Sequence, residues 1–233
     1  MRLAVVTLVV GGAGAVLVHA DKSGVDGPDR HVARWVTDHH PGVLVGVAHA
    51  LSLVGTTPGA LLVVVLIGLS IWGERGSLFP LVVLVLVWGG SEVVARAAGL
   101  VGRHAPCHHV LPPCYRPGGL GTAGPSFPAH HVLVGGSVLL ALTVVLVGGG
   151  WWREHRWVTW TAAAVLVVAL AGGQLLLSGH WLTDVAVALA AATCWVALLL
   201  PPVTRVVRQR GPSKPFPTLQ AAGTALRRFT DDE

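Results

Sequence analysis

The sequence predicts an all-α, polytopic membrane protein: six transmembrane helices packed as a bundle. Three observations carry this expectation. The chain is 53% hydrophobic and only 12% charged, and its mean hydropathy of +0.68 is high for a water-soluble domain. The apolar residues fall in runs near the roughly 20 residues that a helix needs to cross a bilayer. Those runs are continuously apolar and do not alternate, which argues against a β-barrel.

The first run extends from about Leu3 to Ala20. Val18-His19-Ala20 resembles a weak cleavage site, so this run could be a signal peptide; its length and its lone basic flank, Arg2, favour a retained span. The second covers about Pro58 to Trp72, with an apolar stretch, Val43 to Val54, leading into it. That stretch is either the start of one long, tilted helix or a separate half-buried one, because Pro58 breaks or kinks a continuous helix. The third run covers about Leu78 to Ala98, the fourth His131 to Val147, the fifth Val158 to Leu177 and the sixth Thr183 to Leu200.

Arginine sets the expected orientation. Arg2, Arg75, Arg153 with Arg156, and the basic tail after the sixth run fall on one side of a six-span topology, which is then cytoplasmic, as are both termini. The opposite side holds residues 21–42, 99–130 and a short turn at 178–182. Trp72, Trp151, Trp152 and Trp157 stand at run ends, where interfacial indoles belong. The formal charge of +5 raises a nucleic-acid reading. Six of the basic residues, from Arg205 to Arg228, sit in the tail with no recognition motif, so a nucleic-acid partner is not expected. Residues 1–200 form the membrane domain in this reading, and 201–233 a mobile basic tail. The near absence of lysine beside abundant arginine fits a GC-rich bacterial genome. Cys107 and Cys114 share the large loop, where a disulfide, free thiols and a metal site with the neighbouring histidines all stay open. Cys194 reads as a small packing residue.

Polar residues at the non-cytoplasmic ends of the runs are costly in a membrane and mark a candidate site. Arg96 and Arg103 follow the third run, His130 and His131 open the fourth, and His180 and Asp184 bridge the fifth and sixth. This set suits phosphomonoester cleavage. A neutral imidazole can attack phosphorus, and a carboxylate four residues on can fix its tautomer. A second histidine can protonate the leaving oxygen, and guanidinium groups can hold the phosphoryl oxygens. No metal or other cofactor is required. Glu92, four residues before Arg96, reads as an intrahelical ion pair. His39 and His40 read as solvated loop residues.

Three stretches resemble the motifs of the phosphatidic acid phosphatase type 2 (PAP2) family of lipid phosphatases, K-x6-R-P, P-S-G-H and S-R-x5-H-x3-D. They are Arg96 to His104, Pro128-Ala-His-His131, and Gly173-Gln174 to His180 and Asp184. The resemblance implies a six-span fold over about residues 1–200. It implies His180 as nucleophile, Asp184 as its orienting partner, His131 as general acid, and Arg96 and Arg103 as phosphate ligands. It also implies a lipid phosphate or diphosphate as substrate, of the phosphatidic acid, phosphatidylglycerol phosphate or undecaprenyl diphosphate class. The work would be done at the outer face of a bacterial plasma membrane.

The chain departs from the pattern at several positions. Ala129 replaces the family serine and His130 its glycine; Gly173-Gln174 replaces Ser-Arg; Arg96 replaces lysine and His104 proline. Loss of one stabilising donor of this kind costs about 10²–10³ in rate when nothing compensates. Gln174 and His130 are retained as phosphate-binding candidates, with Arg116 and His104 as further sources of positive charge. A second alignment, on Arg103-His-Ala-Pro106, would put Ala98 and Ala105 at the lysine and arginine positions. Two other classes stay open: a relative that binds lipid phosphate or a partner without turnover, and a transporter or scaffold. The residues do not fix the oligomeric state.

Overall fold

A computed structural model of the chain describes residues 27–39, 42–100, 127–148, 154–177 and 179–209. The described residues form seven helices: α1 (Pro28–Asp38), α2 (Gly42–Gly55), α3 (Thr57–Arg75), α4 (Phe79–Gly99), α5 (His130–Gly148), α6 (Arg156–Leu176) and α7 (Leu182–Gln209). Five of them, α3 to α7, contain stretches long and apolar enough to cross a membrane. They match the second to sixth expected runs to within about three residues, except at the end of α7. The first expected span, the Cys107–Cys114 loop, Trp151, Trp152, His40, and residues 210–233 lie outside the described residues.

α5 is the centre. It packs against α7, α6, α4, α2 and α3, and 56% of its membrane-length window is buried, against 22–39% for the other four. Its apolar residues are spread all round, as a helix enclosed by others requires. Val132, Leu133, Val134 and Val138 meet Ala60 and Val64 of α3, Leu84 and Val87 of α4, and Ala188 and Ala192 of α7 in one core. Trp195 of α7 lies over Gly90, and its indole N–H donates to the Val87 carbonyl at 3.1 Å, tying α7 to α4. Outward-facing Leu62, Leu66, Leu69, Leu86, Val93, Val165 and Val168 leave a surface suited to lipid.

The open question about the second run resolves as two helices. Thr56 ends α2 and caps α3: its hydroxyl oxygen accepts from the Gly59 N–H at 3.1 Å and donates to the Leu53 carbonyl at 2.7 Å. Pro58 follows in the first turn of α3, where its missing N–H costs nothing. The short link brings Gly55 against α5, where a Cβ would stand 2.5 Å from the His131 carbonyl oxygen. Only glycine allows that approach. α3 ends at Gly76, which takes the left-handed conformation at φ 65° and donates to the Trp72 carbonyl.

Two elements differ from the sequence reading. Residues 21–42 were expected as a loop, yet Pro28–Asp38 is helical. Its polar, amphipathic make-up escapes a search for apolar runs, although Pro28 and Asp29 are helix-start signals. The last helix runs to Gln209, beyond the expected end near Leu200 and through Pro201 and Pro202. Trp72 and Trp157 stand exposed at helix ends, the latter under the Arg156 guanidinium at 5.6 Å.

Candidate active site

The start of α7 organises the site. Trp181 is its cap: its carbonyl accepts the first helical bond, from Val185. Its indole is buried, with 2% of the residue exposed. Asp184, fully buried, reaches back to accept the Trp181 N–H at 3.1 Å through Oδ2. That is the return half of a capping box. The Asp184 carbonyl in turn accepts from Ala129 N–H at 3.4 Å, fastening the start of α5 to the start of α7.

α5 opens after a cis Phe127–Pro128 bond with His130 and His131, whose rings meet edge to face at 5.6 Å. The Ala129–Asp184 bond brings the start of α5, with His131, to the α6–α7 connection that carries His180, and Glu92 of α4 contacts the adjacent His130. The His131 Nδ1 is buried with no hydrogen-bond partner among the described residues. His180 is half-buried in the non-helical stretch before Trp181. It lines a small crevice with Asp29, Val32, Ala33 and Val36 of α1, Leu175 of α6 and Leu182.

Glu92 does more than the sequence implied. The expected ion pair with Arg96 is present at 3.6 Å, with the arginine side chain 76% exposed. The shorter contact is to His130, whose Nε2 lies 3.1 Å from Glu92 Oε2. Arg96 therefore meets the histidine cluster through Glu92.

Gln174 is buried in α6, and its amide nitrogen has no hydrogen-bond partner among the described residues. Leu170 of α6 would touch a Cβ on Gly135 of α5. Gln174 and His131 each lie one helical turn from that contact, toward the same end of the bundle. Gln174 thus shares the level of the histidines. Arg103, His104 and Arg116 lie outside the described residues.

The structure therefore gathers Glu92, His130, His131, Gln174, His180 and Asp184 at one end of the bundle. Sequence reasoning missed Asp29, whose carboxylate accepts from the Thr183 N–H at 2.9 Å and from its hydroxyl at 2.6 Å. The only local signal was Pro-Asp at a helix start; a partner 154 residues away leaves none. No cluster of three metal-ligating residues occurs among the described residues.

No family model matches the chain, and no curated protein sequence does. Among solved structures, it is similar to the crystal structure of a transmembrane PAP2-type phosphatidylglycerolphosphate phosphatase from Bacillus subtilis. The TM-score is 0.71 at 18% identity, covering 83% of this chain and 93% of that one. At that identity the likeness is one of architecture: this chain has the fold of a PAP2-type membrane phosphatase.

Proposed function

We propose that this protein is an integral-membrane phosphatase that hydrolyses a lipid phosphate or diphosphate. The observation that carries the reading is the backbone bond from Ala129 to Asp184, which joins the helix start that bears His131 to the helix start that follows His180, at the polar end of a bundle with this fold. The solved neighbour acts on phosphatidylglycerolphosphate. That supports a substrate whose tail stays in lipid while its phosphate reaches the water interface.

In the proposed mechanism an imidazole nitrogen of His180 attacks phosphorus, and the bond from phosphorus to the leaving oxygen breaks. His131 gives that oxygen its proton. Water then attacks the phosphohistidine, His131 takes a proton from it, and orthophosphate leaves with His180 restored. Asp184 acts by holding the Trp181 N–H, which fixes the segment that presents His180. His130, Gln174, Arg96 and Arg103 bind the phosphoryl oxygens. The site faces the outside of a bacterial plasma membrane, with the termini in the cytoplasm, following the arginine distribution.

A second reading, lipid-phosphate binding without turnover, is favoured by one feature: a neutral Gln174 where the family pattern has arginine. Phosphate release decides between them. Detergent-purified protein is given phosphatidic acid, phosphatidylglycerol phosphate and an isoprenoid diphosphate in the presence of a chelator. The expected result is release that falls to the blank with His180→Ala. No release from any substrate across pH would reject the enzyme reading, and saturable binding without release would establish the second.

A further inference from the structure

We propose that Asp29 is a positioning residue for His180, and that α1 is a strap holding the start of α7 in register with α5. The inference rests on the phosphatase reading above. Asp29 lies in the first turn of α1 and is 7% exposed. A carboxylate so buried must be met by donors, and among them are the backbone and side chain of Thr183, at 2.9 and 2.6 Å. Thr183 is the second residue of α7, so its N–H has no acceptor within its own helix. One carboxylate thus settles an orphan donor and a hydroxyl on the helix that carries the catalytic segment. The second of these contacts is short, as a charge-assisted O–H···O bond is.

His180 stands three residues before Thr183, in the non-helical stretch Gly179–Trp181. The start of α7 that follows it therefore bears on where the ring goes. Three attachments among the described residues bear on that start. Asp184 holds Trp181 from within, Ala129 donates to Asp184 from α5, and Asp29 holds Thr183 from α1. Val32 and Val36 of α1 close the same crevice that His180 lines with Leu175 and Leu182. Without Asp29 the side of α7 that faces α1 loses this polar anchor. His180 then shifts relative to His131. Displacement of a reacting group by about 1 Å can cost roughly 10²-fold in rate.

The test is steady-state kinetics of the full chain in detergent, on a short-chain phosphatidic acid and on para-nitrophenyl phosphate. Turnover is expressed per folded molecule, with the folded fraction read from the amplitude of thermal unfolding. We expect Asp29→Ala to lower kcat at least about tenfold on both substrates with KM within about threefold. Asp29→Asn, which can still accept the N–H and donate to the hydroxyl oxygen, should recover most of that loss. Thr183→Val, which keeps the N–H, should fall between wild type and Asp29→Ala. The double variant Asp29→Ala/Thr183→Val should be no slower than Asp29→Ala.

Wild-type kcat per folded molecule in Asp29→Ala would overturn the proposal, even if less protein folds. So would a loss confined to KM for the lipid, which would make α1 a lipid contact. If Asp29→Ala does not fold, Thr183→Val at wild-type kcat overturns the proposal. A wild-type protein inactive on both substrates would instead reject the phosphatase reading itself.

Discussion

Gln174 is the residue on which the proposed chemistry is most open to test. Its amide N–H is buried without an acceptor among the described residues, and an orphan donor of this kind costs about 1–3 kcal/mol. A phosphoryl oxygen in the site would satisfy it, so the orphan agrees with anion binding. What glutamine lacks is charge. A guanidinium adds a charge-assisted, often bidentate contact that strengthens as negative charge develops in the transition state. Gln174→Arg should therefore raise kcat/KM on phosphatidic acid by about tenfold or more, measured beside wild type under the same conditions. An unchanged or lower value in a variant that folds normally would mean that the phosphate does not reach this position. His180 and Asp184 stand out in the sequence because only four residues separate them, and His131 because it follows Pro128 at the start of an apolar run. The Glu92–His130 contact joins residues 38 apart on different helices, and nothing in the local pattern announces it.

At the scale of the element, the two helix starts at the site are built differently. α7 has Asp184 reaching back to its cap residue. α5 has Ala129, whose carbonyl accepts from Val132 and Leu133 but whose methyl group can accept nothing. Ala129→Ser would put a hydroxyl oxygen in reach of the N–H groups of His131 or Val132, the position at which serine caps helices. We expect a stabilisation of about 0.5–2 kcal/mol, read as a rise of roughly 2–4 °C in thermal midpoint per kcal/mol. Ala129 is fully buried, so a serine that failed to cap would leave an unpaired hydroxyl and lower the midpoint instead. The sign of the shift decides. The break at Pro58 was marked in the sequence, which left one kinked helix and two separate helices both open. Element boundaries were not legible for α1, where only one side faces protein and hydropathy averages out. The end of α7 was misread because Pro201-Pro202 reads as a stop, whereas the helix passes through it.

On the scale of the whole molecule, the bundle was legible because bilayer-length apolar runs permit few other folds, and α5 stands at its centre because its apolar residues leave no polar face. Which helices touch was not legible, since almost every contacting residue is Val, Leu, Ala or Gly and the pattern carries no address. Orientation rests on charge. Arg75 ends α3 and Arg156 opens α6, at the end of the bundle opposite the site, and the positive-inside rule would put that end in the cytoplasm. The site end carries His31, exposed on α1 two residues from the Asp29 that grips α7. Glu154, exposed just before α6, marks the other end, separated by a helix of 21 residues that rises about 31 Å. In a variant with Cys107, Cys114 and Cys194 replaced by serine, His31→Cys should react with a membrane-impermeant maleimide on intact bacteria. Glu154→Cys should react only after permeabilisation. The reverse pattern would turn the site toward the cytoplasm. Its lipid substrate would then have to come from the inner leaflet, and the arginine distribution would have failed as a guide to this chain.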